Sequence, residues 1–344
     1  MFDFKGIPVI DAHFHIMGGA DRIELLKKQK ERYGYDRVNV LSLEATDGLQ
    51  NAKCITYKLM SPGDYAFAGL SYNSDEDFLS QAKALYNLGF DGFKMIEGKP
   101  GPRKKTGIPL NDSVYDPFYS FCEENGIPVL LHAADTAVFW DESKAPSFAK
   151  ESGWLYTDGT FLSKEEITRE VIGVLEKHRQ LKLILAHFFF MSDDLKRAGE
   201  MFDRYPNLCF DITPGTEMYI DFARDTAAAR AFFEKYQDRI IFGTDNYDVD
   251  PQEEKEIKDV INSLMYSFLF EDKPFRAWDL ELHGIGLDRE ALDKILHRNF
   301  ERLTPLQRVD KANVIDFIAN ELGRAHKTEE VKEIRDILAL ISDL

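Results

Sequence analysis

The run Ile10-Asp11-Ala12-His13-Phe14-His15 places two imidazoles two residues apart near the start of a 344-residue chain. Val9 and Ile10 lead into the pair through a stretch that reads as a buried strand. Side chains at i and i+2 of a strand project to the same side. Two neutral imidazoles held that way can share one divalent cation. A chain with eight histidines can produce such a pair by chance. Three later positions make the pattern specific. His132 ends Val129-Leu130-Leu131-His132, His187 ends Leu183-Ile184-Leu185-Ala186-His187, and Asp245 ends Ile240-Ile241-Phe242-Gly243-Thr244-Asp245. Each is a metal-competent residue closing a short apolar run. A carboxylate in such a company can hold a metal and also accept a proton from water.

The elements that must position these residues follow from the apolar pattern. Eight runs rich in Val, Ile, Leu and Phe read as strands near 7–12, 38–43, 66–71, 91–96, 127–132, 182–187, 208–212 and 239–244. Continuous apolar character suits parallel strands covered on both faces. Helix signals lie between them. Asp77 precedes a stripe of Phe78, Ala82 and Leu85 that stops at Gly89, and Ser163 with Glu166 forms a capping box. Phe118, Phe121 and Cys122 lie on a helix that Gly126 would end in a left-handed cap. Repeated strand–helix alternation predicts an α/β fold, a (β/α)8 TIM barrel, with a doubly wound open sheet as competitor. The barrel accounts for the chemistry better, because it gathers the C-terminal strand ends at one mouth, whereas an open sheet spreads them along a line.

Two segments exceed what a barrel needs. Residues 133–162 make a long connection after strand five, with Phe139, Trp140, Trp154, Tyr156 and Phe161 as a wall over the site and Trp140 among the substrate contacts. Pro251 to Phe270 reads as a helix inserted after strand eight, 288–303 as the last barrel helix, and 305–344 as about two more. The expected division is a catalytic barrel over 1–304 and a helical extension over 305–344 packed on it.

Composition narrows the partners. A net charge of −17 argues against nucleic acid and anionic membranes, since their phosphates would be repelled, but leaves a small anionic substrate open to local charge. Cys54, Cys122 and Cys209 are far apart and form no C-x-x-C pair, which fits a reducing compartment and excludes a thiolate zinc site. Met1 to Gly6 carries no basic region leading into an apolar stretch, and no run approaches a membrane span, so a cytoplasmic protein is expected.

Taken together, Ile10–His15, Gly92-Phe93-Lys94, Pro128–His132, Ile184–His187, Ile241–Asp245 and Leu296–Leu303 resemble the amidohydrolase superfamily, specifically its amidohydrolase-2 branch. That branch holds metal-dependent hydrolases and non-oxidative decarboxylases. The resemblance implies His13, His15, His132 and Asp245 as metal ligands, and Asp245 with His187 as proton-handling catalytic residues. It implies one divalent metal, with Zn2+ the first choice and Mn2+ or Fe2+ also fitting. Relatives are often dimers or larger, so a homo-oligomer is compatible. Lys94 stands where binuclear members carry a carboxylated lysine. With a single metal it would instead be a cationic substrate contact, or a structural ammonium. One departure stands out: the branch often has a glycine pair after the sixth-strand histidine, where this chain has Phe188-Phe189-Phe190.

Arg103, with Lys104 and Lys105, would attract a carboxylate or phosphate, or would merely be solvated. Glu44 and Asp211 either line the mouth or hold histidine N–H groups. His178, His283, His297 and His326 are assigned no chemistry. The resulting expectation is an enzyme: a hydrolase acting on a small polar, carboxylate-bearing amide or lactone through metal-activated water. A non-oxidative decarboxylase using the same site is the alternative, and a metal-binding protein without turnover is disfavoured by the retained Asp245 and His187.

Overall fold

The computed structural model describes residues 4–45, 49–215, 217–248, 255–325, 327–342 and 344. His326 and the first residues of the helix expected from Pro251 lie outside them. Parallel strands run β1 (Ile10–His15), β2 (Arg37–Leu41), β3 (Tyr65–Ala68), β4 (Gly92–Gly98), β5 (Val129–Ala133), β6 (Leu183–Leu185), β7 (Leu208–Asp211), β8 (Ile240–Ile241) and β9 (Asn246–Tyr247). Each of β1 to β7 pairs in parallel with its successor, and β9 pairs with the other edge of β1. β8 and β9 are therefore halves of one broken eighth strand. The first half pairs with β7 and the second closes on β1. Bonds from the Ala12 amide to the Phe242 carbonyl (3.1 Å) and from the Asp245 amide to the His13 carbonyl (2.8 Å) complete the ring. The fold is α/β, a (β/α)8 barrel.

Alternate residues divide the core into an inner and an outer layer. Ile10, Ala12, Leu41, Phe67, Leu130, Ile184, Cys209 and Ile241 form the inner cluster, plugged by Phe300 and Leu303. Val9, Phe14, Val40, Phe93, Leu131, Leu185 and Phe210 belong to the outer layer beneath the helices. β1 changes phase between them. A register irregularity between Asp11 and Phe14 lets His13 and His15 take the side opposite Phe14, although Ile10 and Ala12 already hold the inner one. The strand also starts three residues later than the apolar run suggests, so the histidines lie within the paired ladder.

The helix signals match the observed ends. Asp77 caps the helix Phe78–Leu88, which stops at a left-handed Gly89, and Ser163 and Glu166 form the capping box of Lys164–Lys177. The stretch around Arg103 differs from expectation. It is a short helix, Pro100–Thr106, because Pro100 at its first turn presets the backbone. A hairpin, Pro274–Ala277 with Leu280–His283, was not legible in the apolar pattern, since Ala277 and Leu282 are its only buried residues. After the inserted helix Lys255–Phe270, the last barrel helix runs 289–303. Helices Lys311–Arg324 and Thr328–Ser342 pack on each other and on Gln50–Met60.

One buried ion pair ties these layers together. Lys58, on the helix Gln50–Met60, meets Asp91 at 2.6 Å with both side chains fully buried. Asp91 also accepts the amides of Ala66 and Gln307, and Lys58 donates to the Gly89 carbonyl. Replacing one partner strands the other charge in a medium that cannot solvate it. Lys58→Met is expected to lower stability by about 3–5 kcal/mol, measured as a shift in urea midpoint at unchanged slope.

Candidate functional site

The barrel mouth collects the strand ends. His13 and His15 come from β1, Lys94 from β4, His132 from β5, Asp211 from β7 and Asp245 from the break between β8 and β9. His187 lies just past β6. The structure brings His13, His15 and Asp245 into one group whose candidate ligand atoms lie within 4.8 Å of one another. His132 stands one ring further on. Its centroid is 4.7 Å from that of His187, which is itself 5.6 Å from that of His13.

Proton positions follow from the partners. His13 Nδ1 is 2.8 Å from Asp211 Oδ2, and His15 Nδ1 is 3.1 Å from the Leu41 carbonyl. Both partners only accept, so both Nδ1 atoms carry the proton and both Nε2 atoms carry lone pairs. These lone pairs face Asp245 Oδ1 at 3.4 and 3.1 Å. Three acceptors so close repel one another unless a cation sits between them, and the Lys94 ammonium, 3.3 Å from His13 Nε2, reaches only one of the three. Ligand atoms about 2.1 Å from a tetrahedral ion would lie about 3.4 Å apart, so the spacing fits. His132 Nε2 and His187 Nδ1 are buried and have no hydrogen-bond partner among the described residues. Two orphaned imidazole nitrogens beside the trio extend a donor set suited to a divalent metal.

Buried charge is balanced locally. Burial, followed by the neighbouring Lys94 charge, lowers His13 to about 4, and burial likewise holds His132 and His187 below the ordinary imidazole value. All three are therefore neutral at neutral pH, as metal binding requires. For Asp245 burial opposes ionisation, and the surrounding His13, His15 and His187, which act on it through their protonated forms, pull the carboxyl well below its usual value. Its side chain is still 41% exposed to the mouth. Burial brings Lys94 down to about 8, with Nζ 3.3 Å from His13 Nε2.

Backbone strain marks two of these positions. His187, Phe188, Phe189 and Phe190 all have φ between 51° and 55°, and Asp245 has φ 56°. Left-handed conformation costs an ordinary residue about 1–2 kcal/mol, and four in succession is unusual. Glycine would take this conformation without penalty, which is why the missing glycine pair matters here. Packing offsets the strain. Phe188 is fully buried, with ring centroids 5.0–6.1 Å from those of Phe210, Phe222, Phe232 and Phe233, and burying a Phe contributes about 1.5–3 kcal/mol. Phe190 stacks on His187 at 5.2 Å.

The other candidates from the sequence have partners of their own. Arg103 grips Glu170 through two nitrogens at 2.9 Å. Trp140 donates its indole N–H to the Leu162 carbonyl and packs 4.8 Å from Tyr156 inside the long connection, which has its own small apolar cluster. Glu44 accepts the Asn51 amide at a helix start. His178 pairs with Asp116 of a neighbouring helix and His297 with Asp293 on its own, and the three cysteines are buried and unpaired. Sequence reasoning missed Asp11, whose Oδ1 accepts the amides of His13 and Thr244 and so pins β1 to the broken strand. Its place before the histidine pair was the only signal. Also missed was Glu97, a buried carboxyl on β4 that burial pushes up to about 7, with the Tyr72 hydroxyl pulling it part of the way back.

Two outcomes follow. Asp211→Asn should weaken divalent-metal binding by about 10–100-fold, read by equilibrium dialysis, because an amide no longer enforces the Nδ1 tautomer of His13. For Glu97 the folded chain holds its proton above the ordinary value of 4.5. Stability is then fully present below about pH 4.5 and is lost as pH rises through about 7. Glu97→Gln should remove about 3 kcal/mol of that pH dependence, measured by urea unfolding between these limits.

Comparison with known proteins agrees with this geometry. The chain matches the family model Amidohydro_2, described as amidohydrolase, over residues 10–306. No curated protein matches it. Solved structures share the fold at low identity. An uncharacterised TIM-barrel protein from Bordetella bronchiseptica is 16% identical with a TM-score of 0.53, covering 86% of this chain and 98% of its own. A 4-oxalomesaconate hydratase from Rhodopseudomonas palustris is 14% identical at 0.52, covering 92% and 99%. A 5-carboxyvanillate decarboxylase from Novosphingobium aromaticivorans, complexed with manganese, is 13% identical at 0.50, covering 88% and 97%. No helix among the described residues is long and apolar enough to cross a membrane. With the family's model matching it from the first histidine strand through the last barrel helix, this chain belongs to the amidohydrolase-2 family.

Proposed function

We propose that the protein is a metal-dependent hydrolase that opens an amide or lactone in a small polar, carboxylate-bearing molecule. One observation carries the reading: the lone pairs of His13 Nε2 and His15 Nε2 converge on the Asp245 carboxylate without a proton between them. His13, His15 and Asp245 would hold the ion, with His132 as the fourth side chain through its unpartnered Nε2. Zinc suits nitrogen and carboxylate donors, and manganese or iron would also be accepted. The bound ion would supply a Lewis acid that polarises the substrate carbonyl and makes water easier to deprotonate.

The chain's own residues do the rest. Asp245 is ionised and partly open to the mouth, so its carboxylate can take a proton from water and return it to the leaving atom. His187 is neutral, and its unpartnered Nδ1 can exchange a proton with substrate. The Lys94 ammonium lies in the same buried space and can face a developing negative charge. Phe190 and the aromatic connection after β5 limit access of bulk water.

A decarboxylase is the second reading, favoured by the aromatic cluster of that connection, which suits a ring-shaped acid. Both readings expect chelation to abolish turnover and divalent metal to restore it. Screening lactones, amides and aromatic acids separates them: acid release without carbon dioxide supports hydrolysis, and carbon dioxide release supports the lyase. Asp245→Asn should reduce turnover by at least about a hundredfold. An unchanged rate would remove Asp245 from proton transfer.

A further inference from the structure

Five cations occupy the segment from β4 into the helix that follows it; Lys105 is exposed, and three of the other four have close partners. Lys94 lies against His13, Arg103 is gripped by Glu170, and Lys104 bonds Thr160 beneath the Phe161 ring. Lys99 differs. Its ammonium is 3.8 Å from Asp135 Oδ2, too far for a hydrogen bond, and 3.9 Å from the centre of the Trp154 ring. Among the described residues no acceptor bonds Nζ, although the side chain is only 16% exposed. An aromatic face attracts the charge but offers no lone pair to the three N–H donors. The ammonium is not sealed off from solvent, so its N–H donors stay open to an incoming anion.

Its position is fixed at both ends. The Lys99 amide donates to the Ile96 carbonyl and its own carbonyl accepts the Arg103 amide. Trp154 and Asp135 belong to the connection after β5, and Asp135 is held in turn by the Tyr156 hydroxyl at 2.9 Å. Lys99 directly follows β4, and Asp135 lies three residues past His132 beyond the end of β5, so the ammonium stands at the same end of the barrel as the imidazoles with orphaned nitrogens. Burial raises the Asp135 carboxyl, which weakens it as a competing partner.

We propose that Lys99 anchors a carboxylate of the substrate at the barrel mouth, opposite the metal-binding trio, with Trp154 holding the ammonium in place until the anion arrives. The proposal names the substrate class for the hydrolase or decarboxylase site inferred above and rests on that reading. Arg103 has no part in it, since Glu170 already satisfies its fork.

Benzoate, with benzamide as its neutral counterpart, is the probe. Binding is measured by titration calorimetry on the full chain, both after chelation and after reloading with zinc. Lys99→Met should weaken benzoate by at least about tenfold in both metal states, the loss expected for a charge-assisted hydrogen bond, and leave benzamide unchanged. Lys99→Arg should restore most of the affinity. Asp135→Asn removes the competing charge and should tighten benzoate, a gain that a misfolded variant cannot imitate. Wild-type affinity in Lys99→Met overturns the proposal, as does benzoate that fails to bind the wild type. Benzoate that needs zinc and ignores Lys99 places the anion on the ion, rejecting this anchor while leaving the metal site intact. Lys99-dependent binding in a protein that takes up no zinc would reject the metal reading alone.

Discussion

Asp211 is a buried carboxylate that can only accept, and three donors converge on it. Oδ2 takes the His13 Nδ1 proton, while Oδ1 takes the amides of His187 and Thr213. Burial opposes its charge, but His13 and His187 hold the carboxyl below its ordinary value, so it stays ionised. Remove that acceptor and His13 no longer has a reason to direct its lone pair towards Asp245. The same oxygen pair fixes the first amide of the left-handed turn after β6. One side chain on β7 therefore sets a tautomer on β1 and a backbone conformation on β6. Leu41 does the corresponding work for His15 through a carbonyl.

The mouth is built from backbone that ordinary residues avoid. Ala134 after β5, the run 187–190 after β6 and Asp245 in the eighth strand all adopt left-handed φ. Strain of this kind persists only where surrounding contacts over-determine it. At 187–190 those contacts are aromatic, and the bulk that replaces the branch's glycines is what stabilises the conformation glycine would adopt unaided. At Asp245 the restraint is the amide bond to the His13 carbonyl, together with the Asp11 clamp on Thr244. The break between β8 and β9 thus turns a strand residue towards the trio, which an unbroken strand could not do at that register.

Net charge and local charge tell different stories. The chain carries −17, yet β4 delivers Lys94 and Lys99 to a mouth whose acids are buried, paired with imidazoles or raised by burial. Over the low-dielectric walls of a cleft, these near charges outweigh the distant surface. A polyanionic exterior does not keep two cations from standing at the mouth of the same fold.

Much of the architecture was legible because local patterns encode local physics. Apolar runs marked the strands, Ser163 with Glu166 and the left-handed Gly126 marked helix ends, and His13, His15, His132, His187 and Asp245 declared themselves by closing those runs. Other features had no local signature. The phase change in β1 comes from pairing with β2, and the broken eighth strand comes from ring closure. Arg103 looked like a ligand for substrate until folding brought Glu170 to it from 67 residues away. Lys99 carries no signal in the sequence, and only the connection after β5 lays Trp154 against it. Burial period and capping are short-range and can be read from neighbours in the chain. The partner that satisfies, or fails to satisfy, a polar atom is chosen by long-range packing, and only the tertiary structure decides it.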